Sequence, residues 1–490
     1  MNHVNKVSKL SRSTPEEQGV SSMAISRFLD HIKEQEQELH SLMIMRHGHV
    51  ITEGWWHPYQ SDREHMLFSL TKSFTSIAVG FAISEGLLSL EDTLASFFPE
   101  IEKKQNNEFR EIQVRDLLTL SVGHGSATMG WDLQQIEGSW VEHFLNIPLE
   151  HEPGTRFLYN TSATHMLSAI VQQVSGLQLI DYLGPRLFEP LGISRPYWQT
   201  SPEGNNTGGH GMSLKTEDIA KFGQFLLQRG FWEGRQLLPE NWIKEATSFQ
   251  IVNGDNKEDD WQQGYGFQFW LSRHGAYRAD GAFSQFCIIL PEQEAVVIIT
   301  SGTHDGASVL NLVWEHLLSE MSDRPLPVDD EARTILNQQL NNLAIHIPML
   351  FETSPMAEIV SNRVFKMEEN EYNIREVSFM FKPDSCTFVL KDDRGEHHIT
   401  CGYQEWIEGT TSMFNNVLHS QHQPAKITVC AKAGWRNEND FEMHWCFVNT
   451  PFTDTVVCHF DGQRIQLKRT VNTDQDEPRP TINGNMQRYL

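Results

Sequence analysis

Ser69-Leu70-Thr71-Lys72 is the one Ser-x-x-Lys in this chain, and it is the spacing best suited to chemistry. A serine hydroxyl is a weak nucleophile until a base removes its proton. Residues three apart on a helix share a face, so Lys72 can reach the Ser69 hydroxyl. Lysine serves as a base only if its pKa falls from about 10.4, and burial lowers it by penalising the charged form. The run that follows, Phe74, Ile77, Ala78, Val79 and Phe81, is apolar enough to bury such a helix. Other chemistries lack parts. There is no Gly-x-Ser-x-Gly elbow, no His-Glu-x-x-His, and no phosphate-binding glycine loop ending in Lys-Ser or Lys-Thr. The 22 histidines show no metal-ligand spacing, and acyl transfer at serine calls for neither metal nor cofactor.

Elements must hold these residues in place. Periodicity predicts a helix over Met23 to Leu39 and a long one from about Ser69 to Glu85. SLMIMRHGHVITEGWW reads as two strands joined at His47-Gly48, and FCIILPEQEAVVIITSG as a second hairpin turning at Pro291 to Glu294. Strands near both ends of a 320-residue block, with helices between, imply one sheet assembled from both ends and covered by helices. SDRPLPVDDEAR, with its prolines and acids, reads as a domain edge. Beyond it, VSFMF, CTFVL, HHIT, KITVCA, FEMHWCF, DTVVCHF and RIQLK are strand-like runs between polar turns, the texture of a β-sandwich or barrel. The tail after Thr470 is polar enough to be loosely held.

Composition narrows the class. Hydrophobic residues at 39% and charged residues at 21% belong to a folded globular chain. A formal charge of -25 repels phosphate backbones and anionic lipid, so neither nucleic acid nor membrane is an expected partner. The opening MNHVNKVSKLSRSTPEEQGV has no apolar segment of a secretory signal. Six cysteines without a CxxC pair read as buried free thiols in a reducing, cytoplasmic compartment. Nothing in the sequence sets an oligomeric state.

FSLTKSFTSIAVGFAISEGLLSLEDTLASFFPE followed by VRDLLTLSVGHG closely resembles the opening of the serine β-lactamase-like family. That family includes class C β-lactamases, penicillin-binding proteins, D-alanyl carboxypeptidases and related esterases. EPGTRFLYNTSATHMLSAIVQQVSGLQLIDYLGPRLFEPLGI and GGHGMSLKTEDIAKFGQFLL resemble two further family blocks, and the likeness spans roughly residues 15 to 320. It implies that Ser69 is the nucleophile, Lys72 its base, and Tyr159 the group that handles leaving-group and water protons. The family pattern Tyr-x-Asn reads here Tyr159-Asn160-Thr161, so either Asn160 or Thr161 meets the substrate. Where the family carries Lys-Thr-Gly or His-x-Gly, this chain has Arg278-Ala279-Asp280-Gly281-Ala282. Gly281 lets the strand edge approach the substrate, and the N–H groups of Ser69 and Ala282 form the implied oxyanion hole. Asp280 stands at the hydroxyl position, while Arg278 is expected to turn away from its face. His304-Asp305-Gly306 fits His-x-Gly but falls after the hairpin, as a loop.

The expected protein is therefore of the mixed α and β class. A serine β-lactamase-like domain over residues 1–325, an antiparallel sheet flanked by helices, precedes a β-rich sandwich or barrel domain over 326–490. The expected reaction is hydrolysis of a small-molecule ester or amide through an acyl-enzyme, closer to an esterase, amidase or D-peptidase than to an efficient β-lactamase. The rival reading is a binding or regulatory protein on the same fold with acylation lost.

Overall fold

The computed structural model of the chain describes residues 9–99, 108–128, 136, 138–413, 426–474 and 479–487; residues 1–8 of the opening segment discussed above fall outside this set. Two compact units emerge, Met1–Trp55 with Glu64–Leu343, and Trp56–Arg63 with Ala344–Leu490.

The first unit is built on a seven-stranded sheet drawn from both ends of the block. In spatial order its strands are Ser11–Arg12, His49–Trp55, Leu39–Arg46, Ala295–Ser301, Gln285–Leu290, Tyr277–Gly281 and Trp270–Leu271. All neighbours run antiparallel except the first pair. The three central strands are buried at every position, which is why they read as unbroken apolar runs and not as alternation. Alternate residues, among them Met43, Met45, Val296 and Ile298, join one large core with Phe222 and Phe225 of the helix Thr216–Leu227. That core continues into the helices Thr71–Ser84 and Thr161–Ser175. Ser69 itself lies in a single 3-10 turn, Phe68–Leu70, ahead of the α-helix.

The proline-rich stretch near residue 325 does not end this unit. The helix Asp330–Asn341, capped by the Asp329 carboxylate, lies against the helix Ser22–Glu34. Its Ala332 and Leu336 are each 2% exposed, and Gln339 donates to Asp30 at 2.8 Å. The boundary therefore falls at Leu343, 18 residues beyond the expected one.

The second unit is a barrel. Nine strands, Val364–Met367, Glu376–Phe381, Ser385–Asp392, Gly395–Gly402, Ile427–Trp435, Asp440–Cys446, Thr453–Asp461, Arg464–Val471 and Ile482–Met486, form one sheet. It closes where Gly402 pairs with Lys432, and Ile407–Thr411 adds a tenth strand against Ile427–Trp435. Within the polar tail, Ile482–Met486 is a strand held between Val364–Met367 and Arg464–Val471, and it completes the wall. Closure removes the open edges that a sheet of this length would expose. Residues 56–63 belong here because His57 bridges Ala344 and Tyr59 donates to the Thr450 carbonyl at 3.3 Å.

Leu336→Ala should lower the stability of the first unit by about 2–4 kcal/mol, the usual cost of truncating a buried leucine. Val328→Ala, at a site 71% exposed, should change it by less than about 0.5 kcal/mol. Chemical denaturation followed by tryptophan fluorescence and circular dichroism reads both. Equal effects would mean that Asp330–Asn341 is not part of that core.

Candidate active site

The turn that carries Ser69 is held from two sides. Leu67 N–H donates to the Met212 carbonyl at 2.9 Å, and Thr75 Oγ1 donates to the Gly208 carbonyl at 2.7 Å. Thr71 Oγ1 accepts from Met212 N–H at 3.3 Å. The segment 208–212 is thereby laid along the start of the serine helix. Gly209 is required there, because a Cβ would stand 2.7 Å from Thr161 Cγ2 and 3.2 Å from Lys72 Nζ. On the other flank, Ser73 Oγ donates to the Gln268 carbonyl at 2.8 Å. Phe68, immediately before Ser69, has φ of 49°, a strained geometry that turns the serine out of the chain path.

Lys72 is buried, with 1% of it exposed. Its Nζ lies 3.2 Å from Ser69 Oγ, 3.1 Å from Thr161 Oγ1 and 2.8 Å from the Gly209 carbonyl. None of the three is a carboxylate. A neutral amine has two N–H donors and one lone pair. The donors suit Gly209 and Thr161, and the lone pair suits the Ser69 hydroxyl proton. Burial pushes the ammonium down to about 7, which is the condition under which lysine can act as a base.

Tyr159 closes the other side. Its ring centroid is 4.9 Å from Lys72 Nζ. The ring stacks on Trp270 at 5.3 Å. Burial raises the phenol pKa, and the neighbouring Ser69 opposes this only in part, so the group is a phenol and not a phenolate. The segment is anchored by Leu158 N–H donating to the Leu120 carbonyl at 2.9 Å, from the loop that follows the Val114–Leu118 helix.

Asn160 and Thr161 part company. Asn160 is fully buried and caps the helix Thr161–Ser175. Its Oδ1 accepts from Ser162 N–H at 3.2 Å and from Thr128 Oγ1 at 2.9 Å, so it is spent on local structure. Thr161, two residues beyond the tyrosine, is the one that reaches Lys72.

The strand Tyr277–Gly281 ends against the Ser69 turn. A Cβ on Gly281 would stand 2.1 Å from the Leu67 carbonyl oxygen and 3.1 Å from Leu70 N, so only glycine allows this approach. The loop carrying Ala282 is clamped by Gln285, whose Nε2 donates to the carbonyls of Ala282, Phe283 and Ser301 at 3.2, 2.9 and 2.7 Å. Phe283 packs edge-on against Phe68 at 5.2 Å and against the exposed His304 at 4.9 Å. His304 thus sits in a loop, next to the Ala282 turn.

Arg278 does not turn away from Asp280. Two residues apart on a strand, they share a face, and Arg278 Nε donates to Asp280 Oδ2 at 2.9 Å. Arg278 is wholly buried, donates to Ser272 Oγ at 2.6 Å and lies over the Trp261 ring at 4.6 Å. Burial raises the Asp280 carboxyl pKa while Arg278 and Trp261 pull it back. The strand thus presents a compensated pair whose carboxylate is the more exposed member, 10% against 0%. Trp270, Gly209 and Gln285 were not singled out from sequence as site residues; Gly209 stood in a quoted block, whose run of glycines is its one signal. Among the described residues no cluster of three or more His, Cys, Asp or Glu could hold a metal.

Comparisons with known proteins bear on the family and the fold. A 6-aminohexanoate-dimer hydrolase of Paenarthrobacter ureafaciens is 22% identical over 322 residues, covering 61% of this chain and 82% of that one. The lovastatin esterase of Penicillium rubens is 29% identical over 172 residues, 30% of this chain and 42% of the esterase. Among solved structures, EstCE1, a hydrolase with promiscuous acyltransferase activity, superimposes with a TM-score of 0.50 at 16% identity, covering 60% of this chain and 99% of its own. A penicillin-binding protein homologue from Caulobacter crescentus gives 0.50 at 15% identity, covering 64% and 100%. These likenesses carry the fold of the first unit. The sequence model of the Beta-lactamase family matches residues 18–317, so the chain belongs to the Beta-lactamase family and to its hydrolases.

Proposed function

We propose that the protein hydrolyses an uncharged small-molecule ester or amide through an acyl-enzyme on Ser69. The observation that carries this is Lys72, buried without a carboxylate partner, 3.2 Å from the Ser69 hydroxyl and brought down to about 7. In acylation the Lys72 amine takes the Ser69 proton as Oγ attacks the carbonyl carbon. The N–H groups of Ser69 and Ala282 hold the oxyanion. Tyr159, a phenol whose ring lies 4.9 Å from Lys72 Nζ, passes a proton to the leaving alcohol or amine and is recharged from the lysine ammonium. Deacylation runs the relay in reverse, with water in place of the leaving group.

Substrate class is read from Asp280. An anionic substrate group would meet that carboxylate before the guanidinium of Arg278 beneath it, so neutral esters and amides are preferred to penicillins and cephalosporins. The named activities of the relatives, on an aminohexanoate dimer and on lovastatin, are of this bond type. A cytoplasmic location is supported by the six cysteines, all buried.

Ser69→Ala should abolish hydrolysis of p-nitrophenyl butyrate and stoichiometric fluorophosphonate labelling without unfolding the chain. Lys72→Ala should lose at least about a hundredfold in kcat, the scale of a lost general base. Wild-type turnover by Ser69→Ala would remove the catalytic assignment, and an unlabelled wild type would favour a protein that binds without acylating.

Gly281→Ala should cost at least about a hundredfold in kcat by pushing the Ala282 turn off the nucleophile. Near-normal turnover by that variant would show that the oxyanion is held elsewhere.

The wild type should turn over p-nitrophenyl butyrate with a higher kcat/KM than a chromogenic cephalosporin, and Asp280→Thr should narrow the gap. Efficient cephalosporin turnover, or an unchanged ratio in Asp280→Thr, would mean that the carboxylate does not face the substrate.

A further inference from the structure

The barrel encloses a cavity of about 250 Å3. Its walls include Phe388, Leu390, Trp445, Val456 and Leu467, placed inward by strand alternation. A barrel of roughly eight strands has an interior that side chains fill or that holds one small ligand. Here the filling is incomplete, and one end of the lumen is polar. Asp392 continues the inward series Phe388, Leu390, and Arg469 continues Ile465, Leu467, while Asp454 precedes Val456 and Cys458 on the neighbouring strand. Inward charges in a barrel are costly and can often be replaced by apolar side chains with a gain in stability. Their placement at the end of an apolar space therefore calls for a ligand.

The charges already present define its head group. Asp392 is satisfied: Oδ1 accepts from His397 Nε2 at 2.9 Å and from Arg394 N–H at 2.8 Å, and Oδ2 from Arg394 Nε at 3.0 Å. Arg469 spends Nε and Nη2 on Asp454 Oδ2, the former at 2.8 Å. Its Nη1 has no acceptor among the described residues, although the side chain is 12% exposed and lines the cavity. Arg479 and Asp393 line the same end, with Arg479 Nε and Nη2 each donating to Asp474 at 2.7 Å, so Arg469 is the group with a donor left over. The open valence is thus a donor, and the space before it is apolar.

We infer that the barrel lumen binds a small amphipathic carboxylate, its head on Arg469 and its chain among Phe388, Leu390, Trp445 and Leu467. A 150 Å3 cavity accommodates benzene, so 250 Å3 suits a ligand of about ten to twelve heavy atoms. This site lies wholly within the second unit and is independent of the Ser69 chemistry.

The probe is decanoate, titrated calorimetrically into the full-length protein with Ser69 blocked by a fluorophosphonate. One equivalent should bind, with decanol at least tenfold weaker. Arg469→Gln should weaken decanoate at least tenfold and leave decanol unchanged, and Leu467→Trp should remove both. A decanoate with a terminal diazirine should label peptides of 385–392 or 440–471, a readout that stands even if a variant fails to fold by near-UV circular dichroism. No saturable binding by about 1 mM, labelling outside the barrel, or a folded Arg469→Gln with wild-type decanoate affinity would overturn the inference.

Discussion

An ammonium removed from water with no carboxylate beside it is the constraint on which the rest of the catalytic unit depends. Lys72 is enclosed by a carbonyl, two hydroxyls and an aromatic ring, none of which compensates a full charge. The unfolded chain would hold the proton up to about 10.4, whereas the folded one releases it near 7. Between those values the unfolded state binds more protons, so this lysine costs stability that is recovered as the pH rises. The surrounding packing offsets that cost. The serine helix is buried over nearly its whole length, and threonines 71 and 75 fasten it to the segment 208–212.

The same constraint orders the other groups. In the proposed reaction Lys72 supplies the base, so Tyr159 need not ionise, and its raised pKa suits a relay that hands protons on without losing its own. Because Gly209 and Gly281 approach the serine turn from opposite sides, backbone carbonyls and amides stand where side chains would otherwise intrude. Gln285 then fixes the Ala282 turn through carbonyls on both sides of the hairpin. The site is rigid on the backbone side and aromatic on the other, with Trp270 backing both Tyr159 and Arg278.

Much of this could be read from residue types. Ser69 and Lys72 carry their own geometry in their spacing, and the two hairpins and the barrel strands announce themselves through period and branched side chains. What escaped depended on partners distant in sequence. Asn160 and Thr161 are equally polar, and only the capping of one helix and the lysine of another decide which is structural. The pairing of Arg278 with Asp280 follows from a period of two on a strand, and the expectation failed through misapplied alternation. Asp330–Asn341 follows a proline-rich stretch that resembles a linker, yet Ala332 and Leu336 give it an apolar stripe. The strand Ile482–Met486 reads as polar tail because it is short and only partly buried, and barrel closure is a property of nine strands together.

The rate at which a fluorophosphonate inactivates the protein, followed from pH 5 to 10, tests the central claim most directly. Phosphonylation needs only the Ser69 oxygen and its base, with no substrate specificity and no deacylation. Lys72 protonated is inert and Lys72 neutral is active, so the rate should rise with pH and level off with a midpoint near 7. In Lys72→Ala that step should vanish. A wild-type rate that keeps climbing into the ordinary lysine range, with no plateau below about pH 9, would contradict the account.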